Sequence, residues 1–317
     1  GFVGLPAHAD RPVPAVLTAA LAYLVSQAET AVYCGLGMTA GAADIVARYA
    51  PEDVRDEIVA VGAPCAPYLV DWMILDEIRV PALREAERMS AVPQFFDTCG
   101  DRYRLASLDL SGFTVYTLLR GFENAMQDFV LDPDGFAVLM DRIIDFECDL
   151  MRMAARHGFH GIHFADDWGT QSGMMISPGM WRRLFKPRYA RQFALAHELG
   201  LHAWYHCCGE FVAIMEDFHE IGVDVLNISQ PNVNDLAEVG RRLRGRQCFM
   251  VPISYQTVSI RGTPEEIYAE ARRLYDLLAV PQGGFIGYVE EYGVMGMSEE
   301  NYRACGEAFR RLGTGAR

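Results

Sequence analysis

The sequence predicts an α/β protein built as a barrel, and three observations carry that expectation. From about residue 104 onward, short β-rich runs alternate with helical stretches, the pattern of strands joined by helical crossovers. Five strand–helix units follow one another, which implies a parallel sheet with right-handed connections. The polar residues gather just after the strands, at Asp166-Asp167, His206–Cys208, Gln230 and Glu290-Glu291. A barrel places its active site at those C-terminal strand ends. An open doubly wound sheet puts ligands there too, so the count of units, rather than polarity, favours the barrel.

The elements follow in order. Tyr103–Leu110 and Phe113–Leu118 are rich in apolar, β-branched or aromatic residues and read as strands, with a helical segment around Glu123–Val130. Asp132-Pro133 opens a helix that runs through Phe136–His157 and stops at Gly158. Gly161–Ala165 is the next strand. Ser177-Pro178 supplies an N-cap and an N1 proline for a helix reaching about Leu199. Strand Leu201–Tyr205 precedes helix Glu210–Ile221, and strand Val223–Ile228 precedes helix Asp235–Arg244. Strand Cys248–Pro252 leads to helix Thr263–Leu278, whose entry Thr263-Pro264-Glu265-Glu266 has capping-box chemistry. Strand Gly284–Val289 and helix Ser298–Leu312 close the series. Before residue 100, Ala15–Ser26, Gly41–Tyr49 and a segment beginning at Pro51 read as helical, and Tyr68–Leu75 as strand or buried helix. No linker composition marks a boundary, so residues 1–317 are expected to form one domain with a helical N-terminal part.

The 317 residues are 51% apolar, enough for a large core. A formal charge of −14 argues against nucleic acid and against an anionic membrane surface as partners. No run of about 18 apolar residues appears, nor a basic start with a cleavage site, so a cytoplasmic protein is expected. The eight cysteines are scattered through a chain too large to need staples, which favours free thiols over a disulfide framework.

Leu201–Gly209 ends in His206-Cys207-Cys208-Gly209. Residues i and i+2 of a strand share a side, so His206 and Cys208 can converge on one ion, and imidazole with thiolate suits zinc. A third ligand should come from another strand end. Glu290 and Glu291, after the last strand, offer carboxylates; the plain alternative is a solvated pair of loop acids. Asp166 and Asp167 are adjacent, so one of them should face the pocket. Its candidate roles are partner to His206, general acid or base, or substrate anchor, against an ordinary N-cap or loop ion pair. His157, His160 and His163 read as structural. No phosphate loop, dinucleotide fingerprint or nucleophile elbow is present.

Several motifs occur in order: Leu119-Arg120-Gly121-Phe122-Glu123, Asp166–Gln171, Ile176–Trp181 with Lys186–Tyr189, His206–Gly209, Ile221–Asn227 and Gly262–Glu266. Together, over roughly Arg104 to Leu312, they resemble the uroporphyrinogen-decarboxylase-like superfamily, and within it the zinc-dependent corrinoid methyltransferases. The resemblance implies a TIM (β/α)8 barrel, and a zinc held by His206, Cys208 and a ligand after the last strand. It also implies a corrinoid carried by a partner protein and a small-molecule methyl donor or acceptor. In the thiol-directed branch that last ligand is usually cysteine; here Gly283-Gly284-Phe285-Ile286 is followed by Glu291 at about that place. Glutamate donates less charge than thiolate, so a His206/Cys208/Glu291 set would leave a more electrophilic metal. That tilts the expectation towards an oxygen substrate such as a methyl aryl ether. Asp166 and Asp167 are then candidate catalytic groups, Trp168, Gln171, Tyr205 and Gln230 candidate substrate contacts, and a homodimer is compatible. The arginine-rich segment with which true decarboxylases grip carboxylates is missing from residues 1–60. A metal-independent lyase of decarboxylase type, a thiol-directed methyltransferase and a non-catalytic tetrapyrrole binder are the alternatives.

Overall fold

The computed structural model describes residues 69, 72, 75, 80–108, 110–289 and 296–314. The helices expected before residue 60 and the Glu290-Glu291 pair lie outside the described residues. The chain divides into two compact units, one of Gly1–Pro81 with Gly112–Ile143 and one of Ala82–Ser111 with Ile144–Arg317.

The second unit holds the sheet: β1 Leu105–Ser107, β2 Gly161–Ala165, β3 His202–Cys207, β4 Val225–Ile228, β5 Cys248–Pro252 and β6 Phe285–Tyr288. All neighbouring pairs are parallel and the spatial order is the sequence order, β1 to β6. A doubly wound sheet reverses direction at a switch point, and this one never does. Right-handed crossovers that always advance in one direction lay their helices on one face and leave the other as an interior, which is barrel topology. Among the described residues the sheet has six strands, two fewer than the eight expected, with β1 and β6 at its ends.

Pairing register builds the interior in layers. Ala165, His206, Asn227, Met250 and Ile286 are directly paired across five strands, so their side chains share one face. The alternate residues of β3 face the helices. Tyr205 meets the rings of Tyr189, Phe193 and Phe218, and with Trp168, Trp181 and Phe185 they make a buried aromatic layer. Each such ring contributes roughly 1.5–3 kcal/mol by leaving water.

Two expected elements differ. Phe113–Leu118 is not a strand but part of a helix, Gly112–Arg120. Its β-branched and aromatic content suggested a strand, but burial falls at Gly112, Phe113, Thr114, Tyr116, Thr117 and Arg120 and spares Val115, Leu118 and Leu119, a helical rather than an alternating pattern. The helix expected from Pro178 to Leu199 is two, Pro178–Leu184 and Lys186–Glu198. Pro187 has no N–H to give to residue 183 and its ring crowds that carbonyl, so the run breaks at Phe185.

Two short helices precede the sheet's main body, α1 Glu85–Arg88 and α2 Val92–Cys99. The first unit carries α3 Gly112–Arg120, then α4 Phe122–Leu131 and the start of α5, Pro133–Arg156. Its core holds an ion pair. Arg120 donates to both carboxylate oxygens of Asp128 at 2.7 Å and to the Leu69 carbonyl at 2.7 Å, and lies 4.2 Å over the Trp72 ring. Tyr116 donates to the same carboxylate at 2.8 Å, and burial, then Asp128, push its phenol far above the usual range.

Beyond β2 the helices are α6 Pro178–Leu184, α7 Lys186–Glu198, α8 Val212–Glu220, α9 Leu236–Leu243, α10 Val258–Arg261, α11 Pro264–Leu278 and α12 Glu299–Thr314. The expected caps form: Ser177 accepts from the Met180 N–H, and Thr263 and Glu266 make the full capping box. No described helix is long and apolar enough to cross a membrane.

Candidate metal centre

Three donors converge where β2 and β3 end. The ligand atoms of Asp167, His206 and Cys208 all lie within 4.8 Å of one another. His206 Nε2 is 3.3 Å from Cys208 Sγ and 3.7 Å from Asp167 Oδ1. Zinc bond lengths at tetrahedral angles put nitrogen and sulfur ~3.6 Å apart and nitrogen and oxygen ~3.4 Å apart. The nitrogen, sulfur and oxygen of this trio therefore fit a zinc ion in both spacing and chemistry.

The imidazole is oriented from behind. Asn227, on β4 and 3% exposed, donates its amide Nδ2 to the Met250 carbonyl at 2.9 Å. That turns its Oδ1 to His206 Nδ1, 2.6 Å away. An amide oxygen only accepts, so Nδ1 carries a proton, and in the neutral ring Nε2 is the lone-pair nitrogen facing Cys208 and Asp167. Replacing Asn227 by alanine is expected to weaken zinc binding by about 10- to 100-fold, read by competition with a chromogenic chelator. Unchanged affinity would show that ring orientation is set elsewhere.

The adjacent acids separate as alternation requires. Asp167 Oδ1 accepts from the Cys208 backbone N–H at 2.8 Å. Asp166 is buried beneath, where Tyr189 donates to it and Tyr205 does so at 3.4 Å. Burial, then the Asp166 charge, push the Tyr205 phenol well up, so it stays a neutral donor. The two cysteines part in the same way. Cys207 faces the helix layer, fully buried, accepting from the Trp168 N–H and donating to the Cys208 carbonyl, both at 3.3 Å. Burial and the neighbouring Asp167 charge raise its thiol well above the usual range. It packs in the core, and Cys208 is the thiol that stands with Asp167 and His206.

Two glycines bring the loops together. Gly169 and Gly209 meet backbone to backbone: a Cβ on Gly209 would overlap the Gly169 carbonyl, and one on Gly169 would overlap the backbone of Gly209 and Glu210. Gly209 also has φ +76°, which favours glycine. The Glu210 N–H donates to the Thr170 carbonyl at 2.7 Å and locks the contact.

Of the residues read from sequence, His206 and Cys208 stand together as expected, joined by Asp167. Glu291 lies outside the described residues. Gln171 and Gln230 are hydrogen-bonded to each other at 2.8 Å. Trp168 and Tyr205 are wholly buried and bonded to each other at 2.9 Å, within the aromatic layer under the strand ends. Asn227, Tyr189 and Gly169 carry no role in the sequence reading. All three lie inside motifs named above, Asn227 at the end of Ile221–Asn227, Tyr189 at the end of Lys186–Tyr189 and Gly169 within Asp166–Gln171, but the motifs gave none of them a task.

A family profile described as Uroporphyrinogen decarboxylase (URO-D) matches residues 68–312. Among solved structures, a methyltransferase from Methanosarcina mazei is similar, with a TM-score of 0.56 at 18% identity. The match covers 71% of this chain and 63% of that one, so this chain spans less than two thirds of its neighbour, and the likeness is one of fold. No curated protein matches the sequence.

Proposed function

Because the chain belongs to the uroporphyrinogen decarboxylase family, we propose that it is a zinc-dependent methyltransferase acting within a (β/α)8 barrel. It moves a methyl group between a small oxygen-bearing substrate, such as a methyl aryl ether, and a corrinoid carried by a partner protein. The observation that supports this most is the convergence of Asp167, His206 and Cys208 at the C-terminal ends of neighbouring strands. Held by these three, zinc would supply Lewis-acid polarisation of the substrate oxygen.

The chain's own residues prepare that site. Asn227 holds the His206 tautomer with Nε2 unprotonated. Cys208 must lose its proton to ligate, and the buried Cys207 beside it, kept as a thiol, adds no competing charge. Asp167 brings the one carboxylate of the described trio, and Glu291 is a further candidate donor. The Asp166–Tyr189–Tyr205 bonds fix the backbone from which Asp167 projects.

Metal analysis and methyl transfer together test the reading. Wild type should bind stoichiometric zinc and methylate cob(I)alamin from a methoxyarene. Asp167→Ala, His206→Ala and Cys208→Ala should lose zinc and transfer together. Zinc retained in all three, or transfer undiminished after exhaustive chelation, would overturn it; decarboxylation that survives chelation would replace it with a metal-independent lyase.

A further inference from the structure

Three glutamines from three strand-end loops form a chain of hydrogen bonds with a fixed direction. The Gly209 backbone N–H, which can only donate, donates to Gln230 Oε1 at 3.0 Å. That sets the Gln230 amide. Gln171 must then offer its Nε2 to the same oxygen, 2.8 Å away, and its own Oε1 accepts from Gln256 Nε2 at 2.8 Å. Gln171 and Gln256 are half-buried and Gln230 is fully buried. Every donor in the chain thus points towards Gln230, whose carbonyl is doubly used. Its Nε2 is buried and has no acceptor among the described residues. An unmade buried hydrogen bond is unfavourable, and an arriving acceptor removes that cost.

The charge of the surroundings says which acceptor. The segments joining each strand to the next described helix are 108–111, 166–177, 208–211, 229–235, 253–257 and 289–298. Their described residues include Asp166, Asp167, Glu210 and Asp235, and no lysine, arginine or histidine. The two charges of a bound zinc would be matched by the Asp167 carboxylate and the Cys208 thiolate, so an anionic group brought there would be desolvated with no net positive charge from these segments to meet it. We propose that Gln230 Nε2, set by the Gln171–Gln256 relay, is a specificity-determining donor to a neutral oxygen of the substrate, an ether, hydroxyl or carbonyl. The half-exposed Gln171–Gln256 end marks the side from which the molecule enters. This deepens the methyltransferase reading by assigning the substrate's charge class, and rests on it for the site's identity.

Binding tests it without turnover. The full zinc-loaded chain, ¹⁵N-labelled, is titrated with 4-methoxybenzyl alcohol, 4-methoxybenzoate and 4-methoxybenzylamine as neutral, anionic and cationic probes. The Gln230 side-chain NH2 signals are assigned by their loss in Gln230→Glu. The neutral probe should shift those signals in the wild type, and its affinity should fall about 5- to 10-fold in Gln230→Leu. The anionic probe should bind at least about 10-fold more weakly than the neutral one. An unmoved NH2 signal in the wild type, or equal affinity for the anion, would overturn the proposal. Selective binding of the neutral probe without methyl transfer would fail the methyltransferase reading and leave this subsite standing.

Discussion

Gly209→Ala is expected to lower the melting temperature by roughly 3–6 °C and to weaken binding at the proposed zinc site at least tenfold, because left-handed strain and backbone overlap add roughly 2–4 kcal/mol. The added methyl would overlap the Gly169 carbonyl, a backbone group that cannot rotate aside. Relief requires the two loops to part, and those loops carry Asp167 on one side and Cys208 on the other. The Glu210–Thr170 bond that locks them would stretch as well. Gly179→Ala is the control: nothing lies within 4 Å of its added methyl, and it sits in helix α6. That change should be neutral or stabilise by about 0.5–1 kcal/mol. Calorimetry with metal analysis decides the matter, and a Gly209→Ala protein with wild-type melting and zinc would show that the contact does not hold the centre.

Arg120→Met should destabilise the chain by about 3–5 kcal/mol, the range for removing one partner of a buried pair. Arg120 and Asp128 are 5% and 4% exposed, so the stranded carboxylate would keep the Tyr116 hydroxyl but lose both guanidinium hydrogen bonds, while the Leu69 carbonyl and the Trp72 ring lose the cation that meets them. Adding Asp128→Asn should recover part of the loss, since the uncompensated charge is then gone. Chemical denaturation of the single and double variants measures both. A single-variant loss below about 1 kcal/mol would contradict the pair's buried character. The Leu119–Glu123 motif thereby has a structural account, independent of any chemistry.

What was legible from residues alone follows the range of the forces involved. Strand Cys248–Pro252 and the Ser177 and Thr263 caps depend on neighbours a few residues away, and the structure has them as expected. Pro187 was also local, and it breaks the helix that the apolar periodicity of Pro178–Leu199 suggested. Phe113–Leu118 misled because β-branched and aromatic residues favour strands only where they can pack on a sheet; here tertiary burial along one helix face prevails. His206 and Cys208 were visible through the two-residue period of a strand. Asp167 was read as a candidate partner to His206, general acid or base, or substrate anchor, but not as a third donor beside Cys208, because that position depends on a glycine–glycine contact between residues 169 and 209. Asn227 is bound to His206 through strand pairing 21 residues apart, which no local pattern reports.

The division of β3 into two faces has a consequence for how this chain can change over time. Tyr205 and Cys207 belong to the aromatic layer, while His206 belongs to the interior row with Ala165 and Asn227, and Cys208 joins it at the strand end. Point replacements on either face disturb that face alone. A single inserted or deleted residue within His202–Cys207 would exchange the two, sending the imidazole among the aromatic rings and the tyrosine into the cavity. Lineages can therefore diversify this strand by substitution, whereas changes of its length are closed to them.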